Sequence, residues 1–260
     1  YGACRNTMSN EVLMIVVTFL AAVVQTSTGL GFGMIVAPIL LTLYQPIDAI
    51  QITAVLTLLI AMSVIPINLK RIRFKELKSL SSGSAVGLIS GSLLLKLAPI
   101  NGIRIAALMI LGYALYSYTR SHFDKYRKHP TGATQNLTLK GSVGYGFGSG
   151  LMGATLAMPG PMALIYLRKK RIIPEDVKAT VFALMVGSYS FVILLSIGLN
   201  GISQDAIWGV AICTGSTVIG LIAGIYLSNF LSDVLFDVLT TAMMCVSILT
   251  LGMKTLETQF

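Results

Sequence analysis

Two glycine-rich stretches place polar side chains inside long apolar runs. The first, residues 25–38, reads QTSTGLGFGMIVAP and combines three consecutive hydroxyl side chains, three glycines and a proline. Such a stretch does not favour one continuous helix, because glycine and proline both destabilise a helix interior. A helix that restarts there presents backbone amides of partial positive charge, which can hold an anion without a buried cation. The first stretch therefore predicts an anion-binding break in a helix.

The second stretch, residues 146–161, reads GFGSGLMGATLAMPGP and repeats these ingredients in the other half of the chain. In hydrocarbon, a helix interruption is tolerated only where its freed backbone groups face protein or a watery cavity. We therefore expect both breaks to converge near the membrane midplane, where hydroxyl groups can donate to anion oxygens. With two residues from the long helices that follow, the predicted substrate-binding residues are Gln25, Ser27, Thr28, Gly29, Gly31, Gly33, Pro38, Gln51, Ser149, Gly150, Gly153, Thr155, Pro159 and Ser188.

Small residues in membrane helices have a second use, because they let two backbones approach closely. For the two stretches above, packing remains the alternative to binding. For a further set of glycines at regular spacing, packing is the favoured interpretation. That set is Gly83, Gly87, Gly91, Gly220 and Gly224.

The composition requires a membrane environment. Hydrophobic residues make up 55% of the 260 positions and charged residues only 11%, against about 25% charged in soluble domains. The mean hydropathy is +0.81, so the chain has material for eight to ten crossings of about 20 residues each. The net charge of +9 resides in short loops, which is a topology signal and not the basic surface of a nucleic-acid-binding protein.

Apolar runs separated by charges, glycine and proline form two matching series. Each half has two short segments followed by three long ones, and GLISG at 87–91 answers GLIAG at 220–224. The segments are 11–28, 34–44, 48–69, 79–97 and 103–118, then 139–149, 155–167, 175–199, 204–229 and 233–253. We predict an all-α polytopic membrane protein with an N-terminal segment at 1–10, a first transmembrane repeat at 11–119, a cytoplasmic loop at 120–138 and a second, inverted repeat at 139–254. The short pairs either re-enter the membrane or cross it.

The basic residues are distributed unevenly between the two sides. If each short pair is a hairpin, fifteen of the nineteen Lys and Arg residues share one side, which the positive-inside rule makes cytoplasmic. This places loops 70–78, 120–140 and 168–178 in the cytoplasm and both termini outside the inner membrane. Each half then crosses an odd number of times, so the second copy starts from the opposite face. The fifteen residues are Lys70, Arg71, Arg73, Lys75, Lys78, Arg120, Lys125, Arg127, Lys128, Lys140, Arg168, Lys169, Lys170, Arg171 and Lys178.

The sequence resembles the TauE/SafE family, the sulfite exporter and organosulfonate permease family. The resemblance spans residues 11–253 and rests on GLGFGMIVAPIL at 29–40 and GSGLMGATLAMPGP at 148–161. It implies a secondary transporter for sulfite, thiosulfate or an organosulfonate such as sulfoacetate, with its site between the two stretches. The expected partners are the small anion and the lipid bilayer, and a homo-oligomer is left open.

Three other functions compete with a carrier. An anion channel of the same architecture uses the same donors, and a scaffold subunit needs no polar site. A membrane enzyme needs a base near its nucleophile, but both histidines, His122 and His129, stand in the polar central loop. The same loop carries no cysteine or carboxylate cluster at metal-ligand spacing, and the sequence shows no haem, flavin or nucleotide signature. We therefore expect neither an enzyme nor a cofactor.

Overall fold

The chain folds as a helical membrane protein. The computed structural model describes residues 2–97 and 139–228, with isolated helical positions between 108 and 116 and between 238 and 253. These ranges contain helices and no strand, which confirms the predicted all-α class. The helices are α1 (Gly2–Thr28), α2 (Phe32–Leu43), α3 (Pro46–Asn68), α4 (Phe74–Leu97), α5 (Leu139–Leu156), α6 (Gly160–Lys169), α7 (Pro174–Asn200) and α8 (Gln204–Ser228), and a 3₁₀ turn covers Leu69–Arg71.

Two helices are far shorter than a membrane crossing. The 12 residues of α2 and the 10 residues of α6 extend over about 18 and 15 Å, against about 30 Å of hydrocarbon. Four helices of the described ranges are long and apolar enough to span the bilayer: Asn10–Thr28, Ile47–Arg71, Pro174–Leu199 and Gln204–Ser228. The chain is therefore a multi-pass membrane protein, and the described part of each half contains one short helix.

The third helices of the two halves begin in the same way. Helix α3 starts at Pro46 after an extended Gln45, and α7 starts at Pro174 after an extended Ile173. Proline suits a first helical position because its fixed φ fits the helix and its missing N–H would have no intrahelical acceptor. This shared start is one more agreement between the halves.

Close backbone contact joins α1 to α8 and α4 to α5. A β-carbon at Gly224 would lie 2.7 Å from the carbonyl oxygen of Val23 on α1, and one at Gly83 would clash with the carbonyl of Val143 on α5. Gly87, Gly91 and Gly220 are packed against the opposing helix in the same way. The predicted packing role of these five glycines is confirmed.

Helices α3 and α7 run antiparallel. Gln51 near the start of α3 donates to Ser196 near the end of α7, at 2.9 Å, whereas Arg73, just beyond α3, pairs with Asp176 at the start of α7. By contrast, α1 and α8 run parallel, and so do α4 and α5. Inverted repeats require that helices in the same place of the two copies run in opposite directions. Helices α3 and α7 are the third helices of their halves and meet this requirement, so the packing supports the duplication, which stays a prediction.

The second helix break lies later in the chain than expected. The sequence favoured segments at 139–149 and 155–167, but α5 continues through the glycines to Leu156 and the next helix begins at Gly160. That expectation was wrong because the glycines of α5 serve contact with α4: a β-carbon at Gly146 or Gly150 would clash with carbonyl oxygens of that helix. Helix α5 ends at Leu156, three residues before Pro159, and Pro161 lies in the first turn of α6.

Several predictions lie outside the described residues. They are most of the predicted spans 103–118 and 233–253, together with the central loop 120–138 and its two histidines.

Candidate functional site

The first break consists of residues 29–31, between α1 and α2. Gly29 and Gly31 have φ angles of 85° and 122°, which side-chain-bearing residues rarely adopt. The hydroxyl of Thr28 lies 2.7 Å from the carbonyl oxygen of Leu30 and accepts a hydrogen bond from the Leu30 amide at 3.2 Å. All residues from 25 to 34 are buried. The break is therefore a buried, internally bonded turn.

Gln25 caps the start of α2. Its side-chain oxygen accepts the amide proton of Phe32, the first residue of that helix, at 2.9 Å. Its side-chain nitrogen lies 3.9 Å from the sulfur of Met185 on α7. The side chain is 1% exposed, so this cap satisfies an amide that would otherwise be buried without a partner. One of the amides that the sequence assigned to the anion is thus already bonded.

The second break consists of residues 157–159, between α5 and α6. Ala157 has a positive φ of 53°, and its carbonyl oxygen accepts a 2.6 Å hydrogen bond from the hydroxyl of Tyr189 on α7. Ser149 donates to the carbonyl of Pro159. Because Pro159 and Pro161 have no N–H, the start of α6 offers few amide donors. This break is fixed by hydroxyl groups from α5 and α7.

The two breaks pack directly against each other. A β-carbon at Gly33 would clash with the carbonyl oxygen of Ala157, and one at Gly160 would clash with the Leu30 side chain. A β-carbon at Gly160 would also lie 3.0 Å from the end of Met185. The expected convergence of the two helix starts is present, and apolar side chains fill part of the contact.

Four of the predicted site residues lie on other interfaces. The Ser27 hydroxyl lies 2.8 Å from the carbonyl oxygen of Val23 on its own helix and 3.2 Å from that of Gly224 on α8. Gly150 packs against the backbone of α4. The hydroxyl of Ser188 on α7 lies 3.2 Å from that of Ser84, which also belongs to α4. Gln51 bonds to Ser196 and to the carbonyl of Gly201, where α3 begins and α7 ends.

All but one of the remaining predicted residues lie in or near the breaks, and the exception is Pro38. Gly153 packs between Pro159 and Leu88, and the Thr155 hydroxyl is bonded back to the Leu151 carbonyl at 2.8 Å. Pro38 lies within α2 and does not end it. The residues at or bordering the contact between the breaks are Gln25, Thr28, Gly29, Gly31, Gly33, Ser149, Gly153 and Pro159.

Lys178 belongs both to the predicted span 175–199 and to the basic residues of the charge count. The structure places it in the second turn of α7. The first break packs on its stem: a β-carbon at Gly29 would lie 3.2 Å from Cγ of Lys178. The signal that could have identified it is a single cation after the helix start at Pro174, followed by an uncharged run of more than twenty residues.

Ion pairs join the two halves near the start of α7, where Lys178 lies. The guanidinium of Arg73 is 2.6 Å from the Asp176 carboxylate, and its backbone amide donates to the Thr180 hydroxyl at 3.1 Å. Lys170 is 3.4 Å from Glu76. A side-chain hydrogen bond with Tyr166, with Glu76 adding to it, raises the pKa of Lys170. Two of the loops predicted to be cytoplasmic are therefore in direct contact.

Within the described ranges, no group of three or more His, Cys, Asp or Glu residues is placed to hold a metal ion.

Comparison with known proteins identifies the family. No curated protein and no solved structure matches the chain significantly. The family described as "Sulfite exporter TauE/SafE" matches residues 14–251. Because the match covers nearly the whole chain, including both breaks, the protein belongs to the TauE/SafE sulfite exporter family of membrane transporters.

Proposed function

We propose that this protein is a secondary transporter of a small sulfur-containing anion, sulfite or an organosulfonate such as sulfoacetate. The observation that carries the proposal is the direct contact between two buried helix breaks, Gly33 against Ala157 and Leu30 against Gly160. Buried helix breaks that meet between two repeats are typical of substrate sites in secondary transporters. The family supports a sulfur anion as the cargo.

The breaks supply polar groups of the kind that an oxoanion needs. The hydroxyl of Thr28 and the side-chain amide of Gln25 border the first break, and Ser149 borders the second. Hydroxyl and amide protons can turn from their present acceptors towards an anion when the contact between the breaks opens. Binding therefore requires separation of Leu30 from Gly160, which couples occupancy to a change of conformation.

Alternating access is the proposed transport mechanism. Ion pairs hold the two halves together beside Lys178, and hydrogen bonds of Gln51 and Asp48 hold them together at the opposite end. Because α3 and α7 run antiparallel, the start of each of these helices lies beside the end of the other. Each of the two sets of contacts therefore joins one half of the chain to the other half. Opening one set of contacts while the other stays closed would expose the breaks to one side at a time.

The proposed orientation in the inner membrane follows the charge count. Loops 70–78, 120–140 and 168–178 are assigned to the cytoplasm and both termini to the outside. Two variants that each introduce one cysteine, Lys75→Cys and Gln204→Cys, test this orientation by labelling with a membrane-impermeant maleimide. In intact cells, reagent should reach position 204 and not position 75.

Flux into reconstituted vesicles tests the function. Radiolabelled sulfite, thiosulfate and sulfoacetate should be screened, and uptake of at least one should saturate with concentration and be competed by its unlabelled form. Thr28→Val should reduce that uptake by about tenfold or more, because it removes a hydroxyl at the break. The matched control is Thr214→Val on α8, where the hydroxyl is bonded only to its own helix. Linear flux of channel magnitude would contradict a carrier, and no flux of any of these anions would contradict the substrate class.

A further inference from the structure

Lys178 is a cation inside a predicted span, next to the first break. It lies one turn into α7, about 6 Å along the helix axis from Pro174. It is neither fully buried nor exposed, and its Cγ, Cα and Cβ atoms all lie 3.2–3.6 Å from the position of a β-carbon on Gly29. The ammonium is three bonds beyond Cγ, so it lies within reach of the break.

The carboxylates nearest to Lys178 in the sequence are engaged elsewhere. Asp176 pairs with Arg73 at 2.6 Å, and Glu175 lies 3.9 Å from Arg71. Within the described ranges, Lys178 itself forms no hydrogen bond and no ion pair. A partly buried ammonium without a counter-charge is unfavourable, so this position favours an anion.

The breaks supply fewer main-chain donors than two free helix starts would. Gln25 occupies the Phe32 amide at the start of α2, and prolines occupy positions 159 and 161 at the start of α6. An anion moved from water into a low-dielectric site loses several kcal/mol of solvation. Partial charges from a small number of donors compensate for less of that loss than one full opposite charge beside them.

We propose that Lys178 is the cationic contact of the transported sulfur oxoanion, and that its ammonium donates to the anion's oxygens beside Gly29. This inference rests on the proposed function, because it assigns a residue to that same site. The three N–H donors of an ammonium suit a compact oxoanion that presents several oxygens. The lysine also distinguishes these anions from uncharged sulfur compounds of similar size.

A charge series at position 178 tests the inference. Binding of sulfite, thiosulfate and sulfoacetate to the purified protein should be measured for the native chain, Lys178→Met, Lys178→Gln and Lys178→Arg. Both neutral variants should bind the preferred anion about 10- to 100-fold more weakly, and Lys178→Arg should retain more affinity than either. The control is Lys75→Met, which removes an exposed lysine of α4 and should leave binding unchanged.

Acetylation of the native protein provides a second measurement that needs no variant. Mass spectrometry should show that the preferred anion slows acetylation of Lys178 more than acetylation of Lys75. The ratio of the two acetylation rates corrects for reagent that the anion itself consumes. A lysine that merely extends to the membrane surface predicts equal slowing at both positions. Equal slowing, or unchanged affinity in Lys178→Met, would overturn the inference and leave the transport function standing. If the native chain binds none of the three anions, the proposed function and this inference both fail.

Discussion

Gly33 faces the carbonyl oxygen of Ala157 so closely that no β-carbon fits between them. Gly33 belongs to the first turn of α2, and Ala157 belongs to the break before α6. This contact joins residues 124 positions apart through backbone atoms alone, which cannot move aside as a flexible side chain can. The close approach of the two breaks at this point therefore depends on the absence of a side chain at position 33.

We expect Gly33→Ala to destabilise the protein by about 1–3 kcal/mol, as overpacking of a close contact does, and to abolish transport. Thermal unfolding in detergent and vesicle uptake measure the two effects. The control is Gly187→Ala on α7, where an added β-carbon meets nothing within 4 Å. That control should be neutral or slightly stabilising. A fully active Gly33→Ala variant would contradict the close contact between the breaks.

Replacement of Gln25 tests the cap of α2. Gln25→Leu leaves the buried Phe32 amide without its acceptor, so the free energy of unfolding should fall by about 1–3 kcal/mol. Gln45→Leu is the matched control, because Gln45 precedes α3 at an exposed position and makes no side-chain cap. Equal stability losses in the two variants would show that the hydrogen bond from Phe32 does not hold the break.

The glycine at position 150 separates packing from binding. Gly150→Ala should lower stability strongly, because the added carbon would clash with the backbone of α4. Anion affinity per folded molecule should stay unchanged, since this glycine does not face the first break. Gly144→Ala on the same helix has open space around it and is the control. If Gly150→Ala weakened anion binding and left stability normal, Gly150 would belong to the anion site after all.

The ion pairs beside Lys178 should differ in strength. Double-mutant cycles with Arg73→Met and Asp176→Asn should give a coupling of up to about 1 kcal/mol, because Arg73 is half exposed and solvent screens the pair. The cycle for Arg71 and Glu175 should give a coupling near zero, since both of these side chains are half exposed and 3.9 Å apart, whereas Asp176 in the first pair is largely buried. Raising the salt concentration should reduce the first value. Equal couplings in the two cycles would contradict this ranking.

The sequence predicted the elements set by apolar length and punctuation. Segments 11–28 and 34–44 match the end of α1 and both ends of α2 to within two residues, because Gly29 and Gly31 stand where the chain requires a positive φ. The start of α1 differs: the helix begins at Gly2, within the stretch 1–10 that was predicted as a separate N-terminal segment. The five packing glycines were also assigned correctly, since their spacing follows helix periodicity. Local chemistry dictates both features, so the sequence alone reveals them.

Features that depend on the partner helix could not be predicted in this way. Glycine at position 150 looked like part of a break, but it lies in a continuous helix because α4 packs against it. Lys178 lies near the start of the predicted span 175–199, and only the fold places it against Gly29. Gln25 is a predicted ligand for the anion, and only the fold shows that its side-chain oxygen also caps the helix that follows the break. In each case the residue's neighbour comes from an element distant in sequence or across the turn.

Locating a heavy anion in the folded protein tests the central claim most directly. Selenite has the shape and charge of sulfite, and its selenium gives an anomalous signal in crystals of the protein. We expect a peak between residues 29–33 and 157–160, on the side where Lys178 meets Gly29. A peak confined to the loop cations, or none at the breaks under conditions where the anion binds in solution, would contradict the proposed site.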